Sequence, residues 1–235
     1  MITLDQAVEL ARTGDIWVFR GTSTADRAIR GLTNAPVNHV GMAVALDDLP
    51  PLMWHAELGR SLPDMWTGKR QRGVQLHDLR AAVTQWGQHY RQRAWVRHLS
   101  GELTREHEDG LLRAIARLDG TPFPSTAALA GRWLRGRAPR VRRRGPAPED
   151  ATLATAYCAE VVAVTFVEMG LLPDDRRPNW YDPGRFWSGD DLRLAPGFAL
   201  GGEVEVVVPS AAAAAEPVDP AQRRRWARLR RPARS

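Results

Sequence analysis

A single cysteine, Cys158, stands among the 235 residues, so no intramolecular disulfide can form and the chain fits a reducing compartment. Long apolar runs are missing too. The longest stretch free of Asp, Glu, Lys and Arg is the 16 residues from Gly31 to Leu46, interrupted by Asn34, Pro36, Asn38 and His39. A bilayer-spanning helix needs roughly 20 predominantly apolar residues. The N-terminus places Asp5 and Glu9 where a secretory signal would carry basic residues and an apolar stretch. These absences set the expectation of a cytoplasmic protein. With 43% hydrophobic and 26% charged residues, fibrous and membrane classes are excluded and a hydrophobic core is expected.

The net charge of +6 is local. Residues 216–235 hold seven Arg against Glu216 and Asp219, and residues 132–150 hold seven more against Glu149 and Asp150. Either segment suits an anionic membrane surface, an acidic partner or nucleic acid. Neither carries the helix-turn-helix, zinc-finger or interleaved aromatic pattern of sequence-specific recognition, so specific nucleic-acid binding is not expected. Ala211 to Ala215 reads as a low-complexity linker. The chain therefore divides into a globular unit, 1–209, and a linker with a basic tail, 210–235, which offers an anionic membrane as a partner.

Hydrophobic periodicity predicts short helices over Leu4–Leu10, Thr24–Gly31 and Ala127–Leu134, with Thr3 capping the first. Longer helices are predicted over Thr104–Leu118 and Ala151–Met169, the latter closed by Gly170. Strands are predicted at Ile16–Phe19, His39–Leu46, Leu52–Leu58, Val74–Leu76, Ala94–Leu99 and Gly202–Val208. The second and third of these form an antiparallel hairpin across Asp47-Asp48 and Pro50-Pro51. Pro173 to Asp191 reads as a long loop packed by Trp180, Tyr181, Phe186 and Trp187. Helices without regular βαβ alternation give an α+β class.

Cys158 gains chemical interest from its company. His39 opens one strand, while His55 and Glu57, two residues apart, share one face of the next. Across a hairpin, one imidazole would find a second imidazole or a carboxylate to fix its tautomer, which the base of a cysteine nucleophile requires. A position near a helix start would place backbone N–H groups around the thiol, where they favour a thiolate and an oxyanion. Glu160 is expected to point away from the thiol, as a packing or surface ion-pair residue. Trp54, Trp66, Trp180 and Trp187 are read as lining a cleft or packing the core. His77, His89, His98 and His107 lack such company and are read as surface or local structural residues. A zinc ion on Cys158, His39 and His55 would satisfy the count of three protein ligands, yet no Cys-x-x-Cys or His-x-x-x-His spacing supports it. No metal or organic cofactor is expected.

The succession Gly14-Asp15-Ile16-Trp17, Asn38-His39-Val40-Gly41-Met42, Trp54-His55-Ala56 and Tyr157-Cys158-Ala159-Glu160-Val161-Val162 resembles the circularly permuted NlpC-type papain-like superfamily. Within it, the likeness is to the YiiX-like group, related to lecithin:retinol acyltransferase-like enzymes. It extends from about Gly14 to Met169, with a weaker echo in Tyr181-Asp182-Pro183. The resemblance implies a small antiparallel sheet packed against helices and the order histidine, polar residue, cysteine. Cys158 would be the nucleophile, His39 its base and His55 the orienting group, with Glu57 the runner-up for that third role. It also implies a thiol hydrolase of the peptidase or amidase kind, or an acyltransferase, working through a thioester on a small peptide, amide or lipid ester. A catalytically inactive binding or structural module of the same fold is the alternative.

Overall fold

The computed structural model describes residues 1–21, 35–46, 49–57, 59–122, 158–188 and 192–209. The expected helices at 24–31 and 127–134, the Arg-rich segment 132–150, the first turns of the helix expected from Ala151, and the tail beyond Pro209 lie outside them. Among the described residues no helix is long and apolar enough to cross a membrane.

The protein is α+β. A seven-stranded sheet runs in the order β1 (Ile2–Thr3), β9 (Val204–Val207), β6 (Arg93–Arg97), β2 (Ile16–Arg20), β3 (His39–Val44), β4 (Leu52–Glu57), β5 (Gly73–Asp78). Every pairing is antiparallel except β1 with β9, so the sheet is larger than expected and mixed. A short pair, β7 (Leu99–Ser100) with β8 (Ala199–Leu200), stands beside it.

Both faces of the sheet are covered. On one, Val18, Val40, Met42, Trp54 and Val74 join the core built with α3 (Arg105–Leu118) and α4 (Cys158–Glu168). Every residue of α4 from Cys158 to Phe166 is buried, as its nearly continuous apolar sequence requires. The Trp54 indole N–H donates to Thr165 Oγ1 at 2.9 Å and fastens α4 to β4. On the other face, Trp17, Phe19, Ala43 and Met53 pack against α1 (Leu4–Glu9), α2 (Leu79–Thr84) and Trp86 of the π-helical turn Gln85–His89.

Local chemistry explains the element ends. Thr3 Oγ1 accepts from the Gln6 N–H at 3.2 Å, as expected of the first cap. Gly170, at φ +74°, ends α4 in the left-handed conformation that glycine tolerates. The Gly14-Asp15 pair is architectural. Asp15 is fully buried and accepts from the Leu99 N–H (2.9 Å) and the Arg12 N–H (3.0 Å), with His98 Nδ1 at 3.0 Å, which ties the start of β2 to the end of β6.

Candidate active site

His39 and His55 come together on the α2 face. Phe19 pairs with His39 across β2 and β3, so His39, Gly41 and Ala43 share the face that Trp17 and Phe19 occupy. Met53, His55 and Glu57 share it from β4, while Gln75 and His77 share it from β5. His39 Nε2 lies 3.2 Å from His55 Nδ1, and His55 Nε2 lies 3.0 Å from His77 Nδ1. Three imidazoles therefore form one hydrogen-bonded chain across three strands. The Trp86 indole covers it, with ring centroids 3.7 Å from His39 and 5.4 Å from His55.

Gly41 makes the approach possible. A Cβ there would stand 2.5 Å from Met53 Sδ and 3.3 Å from His55 Cβ. The β3–β4 ladder runs only through Met42–Trp54, Ala43–Met53 and Val44–Leu52.

Burial sets the protonation of this chain. It pushes His39 and His55 well below the ordinary histidine range, with His77 and His39 adding repulsion on His55, and it takes His77 down to about 4. All three are neutral at physiological pH. Glu57 closes the row. Its Oε1 accepts from the Tyr90 hydroxyl at 3.1 Å, and its Oε2 faces His77 Nδ1 at 3.6 Å and His55 Nε2 at 3.8 Å. Burial raises its carboxyl above the ordinary range, against the hydrogen bond from Tyr90.

Cys158 is the first described residue of α4 and is buried on the other side of the sheet, within the helix-face core. Its thiol is pushed up to about 11, chiefly by burial and further by Asp182, against backbone hydrogen bonds from Val40, Ala159 and Cys158 itself. Val40 directly follows His39. Among the described residues no hydrogen bond joins the thiol to an imidazole.

The reading of His77 as a surface or local structural residue is corrected. It is 1% exposed and bonded to His55. His98, beside Asp15, and His107, whose Nδ1 accepts from the Thr104 N–H at 2.9 Å, do have local structural roles. Glu160 is buried in α4, in keeping with a packing role. Trp54 is core, Trp66 is 56% exposed, and Trp180 and Trp187 are partly buried beside Arg185 and Arg20. His55 Nε2, His77 Nδ1 and Glu57 Oε2 are the described atoms best placed to hold a metal ion, all lying within 4.8 Å of one another.

No family model matches the chain. No curated protein matches it either. Among solved structures, the metalloprotein YiiX from Escherichia coli O157:H7 is similar over 83% of this chain and 98% of that one, at 18% identity and a TM-score of 0.45.

Proposed function

We propose that the chain is a cysteine-dependent hydrolase or acyltransferase that acts on an amide or ester through a thioester. The observation that carries this reading is the position of Cys158. Its thiol meets the backbone N–H groups of Cys158 and Ala159 and the backbone of Val40, the residue next to the paired imidazole of His39.

A thiol near 11 and a neutral imidazole define a general-base mechanism rather than a standing thiolate–imidazolium pair. As Sγ attacks the carbonyl carbon, its proton passes to His39 Nδ1. The His39 Nε2–H bond to His55 Nδ1 holds the ring in that tautomer. The backbone N–H groups of Cys158 and Ala159, which lie at the thiol, receive the oxyanion. Collapse expels the amine or alcohol, which takes the proton from His39 and leaves a thioester. Water or a second nucleophile then releases the acyl group with His39 again as base. The step requires substrate binding to bring Sγ and His39 Nδ1 together at the end of β3 where the ladder to β4 is absent.

The test is acid-quench mass spectrometry of the full chain after exposure to p-nitrophenyl esters and anilides. The expected result is an acyl adduct on Cys158, lost in Cys158→Ala and formed about 10²–10⁴-fold more slowly in His39→Gln, the range of a general base. An adduct that survives His39→Gln at the wild-type rate refutes the assignment. A wild type acylated by no ester or anilide refutes catalysis and favours a binding module of the same fold.

A further inference from the structure

Beyond His39, the chain of imidazoles ends in an arrangement whose other two members, Glu57 and His77, have no part in the thiol chemistry. His55 Nε2, His77 Nδ1 and Glu57 Oε2 form a triangle with sides of 3.0, 3.6 and 3.8 Å. A point equidistant from the three corners lies about 2.0 Å from each, the bond length of zinc to imidazole nitrogen and carboxylate oxygen. An ion displaced slightly from that plane keeps all three bonds near 2.1 Å and has an open side for a fourth ligand.

We propose that His55, Glu57 and His77 bind one divalent transition-metal ion of the zinc type. Two imidazoles and one carboxylate suit such an ion and are a poor set for magnesium or calcium, which take oxygen ligands. The surroundings agree. Tyr90 holds Glu57 Oε1, which leaves Oε2 turned toward both rings. Glu57 is 4% exposed, and among the described residues no Lys or Arg forms an ion pair with it; the ionisable side chains against it there are Tyr90 and these two neutral histidines. A cation at the centre gives that buried carboxylate its counter-charge. Gln75, fully buried opposite His55 and on the face of His77, has neither amide atom partnered. The site therefore has an uncommitted polar group alongside its three ligands.

The set is independent of Cys158, which belongs to the opposite core. That separates it from the zinc set of Cys158, His39 and His55. Removing one of three ligands costs more than the roughly 10–100-fold in affinity that follows loss of an outer partner.

The experiment is titration of the full, chelator-treated chain with Zn(II) by calorimetry and with Co(II) by absorption. One equivalent is expected to bind, and Co(II) is expected to show visible d–d bands without a thiolate-to-cobalt charge-transfer band. His77→Gln and Glu57→Gln are each expected to weaken binding more than 100-fold, whereas His98→Gln, outside the triangle, binds as wild type. Folding of each variant is checked by near-ultraviolet circular dichroism, and the wild-type stoichiometry and cobalt spectrum decide the matter even for a variant that fails to fold. Absence of stoichiometric binding overturns the proposal. So do wild-type affinity in folded His77→Gln and Glu57→Gln, or a charge-transfer band lost in Cys158→Ser.

Discussion

Acid should unfold this protein earlier than its carboxylates alone would dictate. His39, His55 and His77 are neutral and buried in the folded chain, with pKa values depressed below the unfolded value of about 6.5. Below that pH the unfolded chain binds protons that the folded chain refuses, so stability falls as pH falls. For His77, with a folded value of about 4, the loss at pH 5 is about 2 kcal/mol. His39 and His55, held well below the ordinary range by burial, add to that loss, which is drawn from the roughly 5–15 kcal/mol that stabilises a typical domain. Glu57, raised by burial, and Asp119, raised to about 6 chiefly by burial, act in the opposite direction and trim the total. Urea unfolding of chelator-treated protein at pH 7.5, 6 and 5 measures it. His77→Gln should remove about 2 kcal/mol of the drop. A free energy that is flat or rising from pH 7.5 to pH 5 would refute the neutral, buried chain.

Three further outcomes follow from the geometry. With its thiol near 11, Cys158 should carry about 300-fold less thiolate at pH 7 than a thiol of 8.5; the greater nucleophilicity of the more basic thiolate reduces this to about 25-fold slower alkylation. Iodoacetamide rates should still be climbing at pH 9, and a plateau below pH 8 would establish a preformed ion pair instead. Thr165→Val keeps the shape of α4 but leaves the Trp54 indole N–H without its acceptor, and should cost about 1–3 kcal/mol in urea unfolding. Gly110→Ala should destabilise by about 1–3 kcal/mol despite a helix-propensity gain of about 1 kcal/mol, because the new methyl would collide with the Glu168 carbonyl and sit 2.9 Å from Met169 Cα; a raised melting temperature would contradict the close packing of α3 on α4.

The hairpin and its two histidines were legible in the sequence because the relevant rules are local. Period-two alternation puts His55 and Glu57 on one face, and a turn-rich connection places His39 opposite. His77 was not legible. Val74-Gln75-Leu76-His77 alternates as a half-exposed strand does, with Gln75 and His77 on the side a reader assigns to water. That side is covered by α2 and the π-helical turn carrying Trp86, a segment whose helical character the periodicity did not reveal. The ligand triangle is likewise assembled from two strands paired through the sheet, so its members show no His-x-x-x-His spacing. Gly14-Asp15 was legible as a motif but not as a role, because the partners of Asp15 at Leu99 and His98 are remote in sequence.

The thiol chemistry and the ion draw on the same lone pairs, and this makes their relation testable. A neutral imidazole has one N–H and one lone pair. For His39 to serve as base through Nδ1, its proton sits on Nε2 and is donated to His55 Nδ1, and the proton of His55 then sits on Nε2 and is donated to His77 Nδ1. For an ion to bind, His55 Nε2 and His77 Nδ1 must both present lone pairs. The proton of His55 then moves to Nδ1 and is donated to His39 Nε2, which leaves the proton of His39 on Nδ1, facing away from its role as acceptor. One occupied triangle therefore silences the base on the adjoining imidazole without touching Cys158. Acylation by a p-nitrophenyl ester should fall in step with Zn(II) occupancy in the wild type and lose that dependence in Glu57→Gln. Acylation that continues at the metal-free rate with one equivalent bound would show that the two ends of the chain titrate independently, and would break the coupling while leaving the ion's ligands as assigned.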